Sequence, residues 1–257
     1  MTSHRIATYT AGGKTAYGYV TDKGVVDLAA RFGKDYPTLR EAIAADVLNK
    51  LAEDGARRSS DHPLDAITWL PPIPSPEKII CIGVNYPDRN AEYKDGSDAP
   101  KYPSMFMRTP RSFVGHDTPI VRPHASPQLD YEGEVVLIIG KGGRHIPEKS
   151  TLDHIGAVTL CNEGTIRDWL RHAKFNVTQG KNFDSTGSLG PWLVPYASES
   201  QIACPAASIR QGTLPGPRGA CARIDALVSG SFNQISTSSN GMPKCVSNTH
   251  GRIDHDE

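Results

Sequence analysis

No cysteine pair in this chain has the spacing of a metal knuckle or a redox dithiol. Cys81, Cys161, Cys204, Cys221 and Cys245 are scattered, none in a CxxC arrangement, so zinc-ribbon and dithiol chemistry have little support. Net charge is missing as well. The 28 Lys+Arg balance the 28 Asp+Glu, which leaves nothing to favour nucleic acid or an anionic membrane surface. No apolar run approaches the roughly 18 residues needed to span a bilayer. No apolar core follows Met1-Thr2-Ser3-His4-Arg5, so the expectation is a cytoplasmic protein with neither nucleic acid nor membrane as partner. Glycine (24) and proline (20) are in excess of their usual combined share of about 12%. That excess favours turns and short strands over long helices. A chain of 257 residues makes one large domain or two smaller ones.

The stretch that organises the rest is Asp130-Tyr131-Glu132-Gly133-Glu134, followed by Val135-Val136-Leu137-Ile138-Ile139-Gly140. A short β-branched run stopped by glycine reads as a buried strand. Side chains at i and i+2 of a strand share a face, so Glu132 and Glu134 point the same way, roughly 6–7 Å apart by strand geometry. Two carboxylates on one face repel unless a cation or a proton lies between them. An acidic strand end in water is the plainer reading, and the pair alone does not decide between the two.

Ahead of that stretch, Ala16–Val20, the turn Thr21-Asp22-Lys23-Gly24 and Val25–Leu28 read as a hairpin. Thr38 with Glu41 three residues on predicts a capped helix start, which Asp46–Ala56 would continue. This section, residues 1–70, reads as a small supporting domain. Pro71-Pro72-Ile73-Pro74-Ser75-Pro76 excludes regular helix or central strand and marks a boundary. Lys78–Val84 and Ser104–Arg108 then read as strands, the first of them buried. Cys81 and Cys161 read as buried thiols. The turn Arg108-Thr109-Pro110-Arg111-Ser112 reads equally as a receptor for an anionic group or as a solvated loop. Leu152–Leu160 supplies a short helix passing into the strand Val158–Cys161, and Thr165-x-x-Asp168 has the spacing of a capped helix start. Glu163 therefore lies where a strand gives way to a helix.

Several of these segments, taken together and in order, resemble the fumarylacetoacetate hydrolase family. They are Ile80-Cys81-Ile82-Gly83-Val84-Asn85-Tyr86, Asp130–Glu134, Cys161-Asn162-Glu163-Gly164 with Ile166-Arg167-Asp168, Gly180-Lys181-Asn182-Phe183-Asp184 and Gly190-Pro191-Trp192. The likeness runs from about Pro72 to Pro195. It implies an α+β, mostly β fold: a mixed β-sandwich roll in residues 71–200, behind the small hairpin-and-helix domain. It also implies a homodimer and a divalent cation held by Glu132, Glu134 and Glu163. Carboxylates without His or Cys suit Mg²⁺ or Mn²⁺. Lys181 matches the family's active-site lysine. The implied substrate is a small 2-oxo or enol carboxylate. The implied reaction is acylpyruvate C–C hydrolysis, or isomerisation of a 2-hydroxyhepta-2,4-diene-1,7-dioate-type diacid in aromatic catabolism, through a metal-stabilised enolate.

Two departures qualify that expectation. Glu92 matches the Glu of a His-Glu pair found on a lid helix in hydrolytic relatives, but Arg89 stands where the His would be. Arginine holds its protons and is no general base at neutral pH, though it can orient a substrate carboxylate. From about Ser198 the strand pattern fades, and Ser236-Thr237-Ser238-Ser239-Asn240-Gly241 is of low complexity. Residues 201–257 read as a shifted frame, a recombined end or a linker, which leaves the roll incomplete at its C-terminal side. An inactive relic of the family is the alternative reading.

Overall fold

The computed structural model describes residues 4–83, 104–172 and 177–196, with the backbone of two short strands at 235–237 and 243–245. Its residues fall into two compact units, one holding 4–79 and 108–196, the other 80–83, 104–107 and those two strands.

The first unit opens with a five-stranded sheet. Strands β1 (Ile6–Ala11), β2 (Lys14–Val20), β3 (Gly24–Asp27), β4 (His62–Pro63) and β5 (Ile67–Trp69) lie in the order β4-β3-β2-β1-β5. The hairpin forms as its turn chemistry requires. Val20 faces Val25, and the Thr21 hydroxyl accepts from the Gly24 amide at 3.1 Å. Helices α1 (Ala29–Phe32), α2 (Leu39–Ala44) and α3 (Leu48–Ala56) follow β3. Thr38 and Glu41 make the expected reciprocal capping box at α2. The helix does not run on, however: Asp46 takes φ 56°, a left-handed conformation that ends one helix before the next begins. Ile6, Tyr17, Leu28, Leu39, Leu51 and Leu193 are all at most 2% exposed and pack in one core with Ala157. Each large apolar side chain buried there is worth about 1.5–3 kcal/mol.

That core draws on both sides of the proline-rich run, which lies within the first unit. The Thr8 hydroxyl donates to Pro72 O at 2.6 Å, and Ile6 and Leu193 exchange backbone hydrogen bonds.

A second sheet contains β8 (Phe113–Val114), β10 (Gly133–Ile139), β11 (Ile155–Asn162) and β13 (Gly187–Leu189), ordered β10-β11-β13-β8, with β14 (Val194–Pro195) also pairing β11. The β13–β8 pair is parallel and the others antiparallel, so the sheet is mixed. Between β10 and β11 the chain forms a 3₁₀ segment at Glu148–His154 rather than the expected α-helix. Gly140 lies so close to Gly156 that an added Cβ would meet its Cα at 2.9 Å.

The strand expected to be buried is only half so. Among the described residues β10 lies at the edge of its sheet with β11 as its one strand partner, and Ile139 is 63% exposed. Strands β6 (Ile79–Gly83) and β7 (Ser104–Arg108), which carry residues 80–83 and 104–107 of the second unit, pair with each other. Ile80 and Ile82 are exposed and alternate with partly buried Ile79, Cys81 and Gly83, so this strand is not buried either. An apolar run has no built-in way to say whether one face or both will be covered. For the same reason Cys81 and Cys161 are partly rather than fully buried. Strands β15 (Ile235–Thr237) and β16 (Pro243–Cys245) pair with each other; the rest of 201–257 lies outside the described residues.

Candidate metal centre

The site lies where one strand ladder stops and another starts. β10 and β11 pair up to Gly133 opposite Asn162. A second, two-stranded ladder pairs β9 (Leu129–Asp130) with β12 (Thr165–Ile166), placing Asp130 opposite Thr165. In the gap between them the Glu163 amide donates to Glu132 O at 2.7 Å, and the Glu132 amide to Asn162 Oδ1 at 3.1 Å. The two chains stay in register across the gap, so Glu132, Glu134 and Glu163 all reach the same spot. One carboxylate oxygen from each lies within 4.8 Å of the other two. Gly164 makes the turn possible, because a Cβ there would fall 1.8 Å from Thr186 O.

Lys181 comes in from α5 (Thr178–Lys181), which follows α4 (Arg167–Leu170). It is 3% exposed, and its Nζ is 2.5 Å from Glu132 Oε2 and 2.7 Å from Glu163 Oε1. The second contact is a close ion pair with the buried Glu163 carboxylate. Arg167 pairs with Asp130 and with Glu132, each at 2.8 Å. Among the described residues Glu134 has no such close partner. Burial, followed by the charges of Glu163 and Glu132, pushes its carboxyl up to about 7, with Lys181 opposing.

The raised Glu134 carboxyl shows what burial beside two further carboxylates costs when no cation lies between them. An oxygen-only donor set of this kind fits a hard divalent cation such as Mg²⁺ or Mn²⁺. Glu132, Glu134 and Glu163 would hold it, and its charge would let Glu134 ionise.

The structure thus brings together Glu132, Glu134, Glu163 and Lys181, the four expected site residues it describes. Arg89 and Glu92 lie outside the described residues. Other participants were not legible beforehand. The Thr165 hydroxyl, expected to cap a helix, instead donates to Glu132 Oε1 at 2.9 Å, and α4 begins without a side-chain cap. Arg108, in the turn that read equally as anion receptor or solvated loop, is 3% exposed and faces Glu163, while Arg111 is exposed and pairs with Asp184. The one signal for Arg167 was its place in the Ile166-Arg167-Asp168 motif.

Comparison with known proteins follows the same lines. The family described as Fumarylacetoacetate (FAA) hydrolase C-terminal matches residues 78–243, reaching beyond Pro195, where the motif resemblance stops. An oxaloacetate tautomerase, YisK of Bacillus subtilis (strain 168), is 42% identical over 141 residues, covering 53% of this chain and 46% of that protein. The human mitochondrial oxaloacetate tautomerase FAHD2B is 36% identical over 134 residues, 51% of this chain and 42% of its own length. The chain spans about half the length of the curated relatives it matches. Among solved structures, the fumarylacetoacetate hydrolase of Exiguobacterium antarcticum superposes with a TM-score of 0.57 at 28% identity, over 75% of this chain and 67% of the other. A probable 2-hydroxyhepta-2,4-diene-1,7-dioate isomerase from Mycobacterium abscessus gives a TM-score of 0.59 at 26% identity, over 78% and 67%. With its mixed sheet, its carboxylate triad and this match over more than half its length, the chain belongs to the fumarylacetoacetate hydrolase family.

Proposed function

We propose that this chain is a divalent-cation-dependent enzyme that interconverts the enol and keto forms of a small 2-oxo dicarboxylate, of the oxaloacetate or 2-hydroxyhepta-2,4-diene-1,7-dioate type. The observation that carries the reading is the convergence of Glu132, Glu134 and Glu163 beside the buried ammonium of Lys181. Several relatives are named for tautomerase or isomerase chemistry, which supports the same class.

The reaction moves one proton between carbon and oxygen and consumes no water. A bound Mg²⁺ or Mn²⁺ would supply Lewis-acid charge to the 1-carboxylate and 2-oxo oxygens of the substrate. Lys181 Nζ adds a fixed positive charge beside them, stabilising the oxygen as it becomes negative. Its contacts to Glu132 and Glu163 hold the ammonium in place before substrate arrives. Glu92 carries the proton in this proposal, and the positive charge of Arg89, three residues earlier in the sequence, favours its ionised form. Hydrolysis of an acylpyruvate is the second reading, favoured by the likeness to the Exiguobacterium enzyme. It needs a base to activate water, and Arg89 does not provide one. The family likeness extends the proposal to a homodimer.

The test offers enol-oxaloacetate, a 2-hydroxymuconate-type diacid and an acylpyruvate side by side, with Mg²⁺ or Mn²⁺ and with EDTA. Cation-dependent loss of the enol absorbance is expected, and Lys181→Met should remove it. Pyruvate release from the acylpyruvate with no spectral change in the other two would favour the hydrolase. Turnover of none, in folded protein that binds Mn²⁺, would identify an inactive relic. Arg89→His should add hydrolysis if the missing histidine is what withholds it.

A further inference from the structure

We propose that Arg108 is a positioning residue for the cation site: its buried guanidinium fixes the Glu163–Gly164 turn, and so sets how well the carboxylates are arranged to receive a cation. This rests on the reading of the triad as a metal centre.

The side chain of Arg108 is fully enclosed, and its donors are spread over separate acceptors. Nε donates to Ser112 Oγ at 3.0 Å, Nη1 to Gly164 O at 3.2 Å, and Nη2 to both Ser112 O and Thr186 Oγ1 at 3.4 Å. The guanidinium carbon sits 4.2 Å from the centre of the Phe113 ring. These acceptors come from two places besides the glycine itself: the 3₁₀ turn at Pro110–Ser112 and the strand entry at Thr186. The guanidinium thereby ties Gly164, the residue immediately after the ligand Glu163, to that turn and to Thr186. Gly164 is already wedged against Thr186 O, so the guanidinium and the missing Cβ together leave the turn one position.

Charge alone does not account for the arrangement. Nη1 is 3.8 Å from Glu163 Oε1, beyond hydrogen-bond reach. A positive charge so near a ligand oxygen also opposes an incoming cation. If charge were the role, a lysine would serve as well. If positioning is the role, it would not, because an ammonium is a point and cannot span acceptors arranged for a planar fork.

The experiment measures Mn²⁺ affinity by electron paramagnetic resonance on the full chain and on Arg108→Lys, with circular dichroism and a thermal melt on each. A dissociation constant raised about tenfold or more in folded Arg108→Lys is expected, the range for partners that orient metal ligands. A constant within about twofold of wild type, even with a lowered melting temperature, would show that Arg108 only supports the fold and would overturn the inference. Should Arg108→Lys fail to fold, the double variant Ser112→Ala, Thr186→Val removes two acceptors and keeps the charge. It should weaken Mn²⁺ in the same direction, and unchanged affinity would overturn the inference. Failure of the wild type to bind Mn²⁺ would overturn the metal-centre reading beneath it, an outcome distinct from equal binding by wild type and variant.

Discussion

The N-terminal sheet with its helices and the carboxylate site belong to the same compact unit, yet they are built on opposite terms. In the first, neighbours in sequence agree with neighbours in space. The hairpin closes through Thr21 and Gly24, the α2 cap through Thr38 and Glu41, and the enclosed residues are apolar. In the second, like charges are gathered where β10, a half-exposed strand, begins. Its stabilising contacts join residues far apart in the chain, such as Lys181 with Glu132 and Arg167 with Asp130. The first region supplies stability, and the second holds unfavourable electrostatics in place. Removing atoms from one should cost folding energy and leave the site alone, while changing the other should alter what the protein binds.

The sharpest test of that division is a cavity in the N-terminal core. Leu51→Ala should cost about 2–5 kcal/mol of unfolding free energy in a urea titration, because Leu51 is 1% exposed. Mn²⁺ affinity of the folded fraction should not move. A parallel loss of affinity would mean that the two regions are not separable.

A cation should act on the other side of the comparison. Mg²⁺ at about 100 times its dissociation constant should add about 2.7 kcal/mol to stability if it binds only the folded chain. Glu163→Gln should abolish that increment. Stabilisation that survives the change would place the cation elsewhere.

Loss of one local device should matter less. Thr38→Ala removes the capping box and should cost about 1 kcal/mol, again without effect on Mn²⁺ binding. A negligible cost would show that tertiary packing, and not the cap, holds α2 in place.

The smallest effect concerns pH. Burial lowers the His116 pKa below its ordinary 6.5, with Asp117 opposing, and the ring packs against Trp69. The fold therefore prefers the neutral ring. Its contribution is present above about pH 6.5 and is lost as pH falls through the lowered value. Urea midpoints at pH 7.5 and pH 5 should differ less in His116→Phe than in wild type. An unchanged difference would remove His116 as a source of acid sensitivity.

Parts of the molecule that depend on spacings of two to four residues could be read directly. The hairpin, the cap and the alternation that puts Glu132 and Glu134 together are all of this kind, because backbone geometry fixes those distances before any tertiary contact forms. The family motifs added Glu163 and Lys181, whose positions no local spacing relates. Where a local signal competed with a distant partner, the distant partner prevailed. Thr165 has the spacing of a cap but spends its hydroxyl on Glu132, since a carboxylate held in the site is the stronger acceptor. Asp46 ends a helix that the pattern would have continued.

The amino-acid order by itself determined a chain of short strands, a capped helix and a pair of carboxylates, Glu132 and Glu134, on one strand face. Tertiary structure alone decided which faces are covered and which charges are paired. Apolar alternation does not say that β10 will lie at the edge of the described sheet with Ile139 exposed. Arg108 and Arg111, three residues apart, carry the same charge, yet one is enclosed beside Glu163 and the other pairs with Asp184 at the surface. Burial and long-range pairing depend on where the rest of the chain folds, and a side chain's own neighbours in sequence do not carry that information.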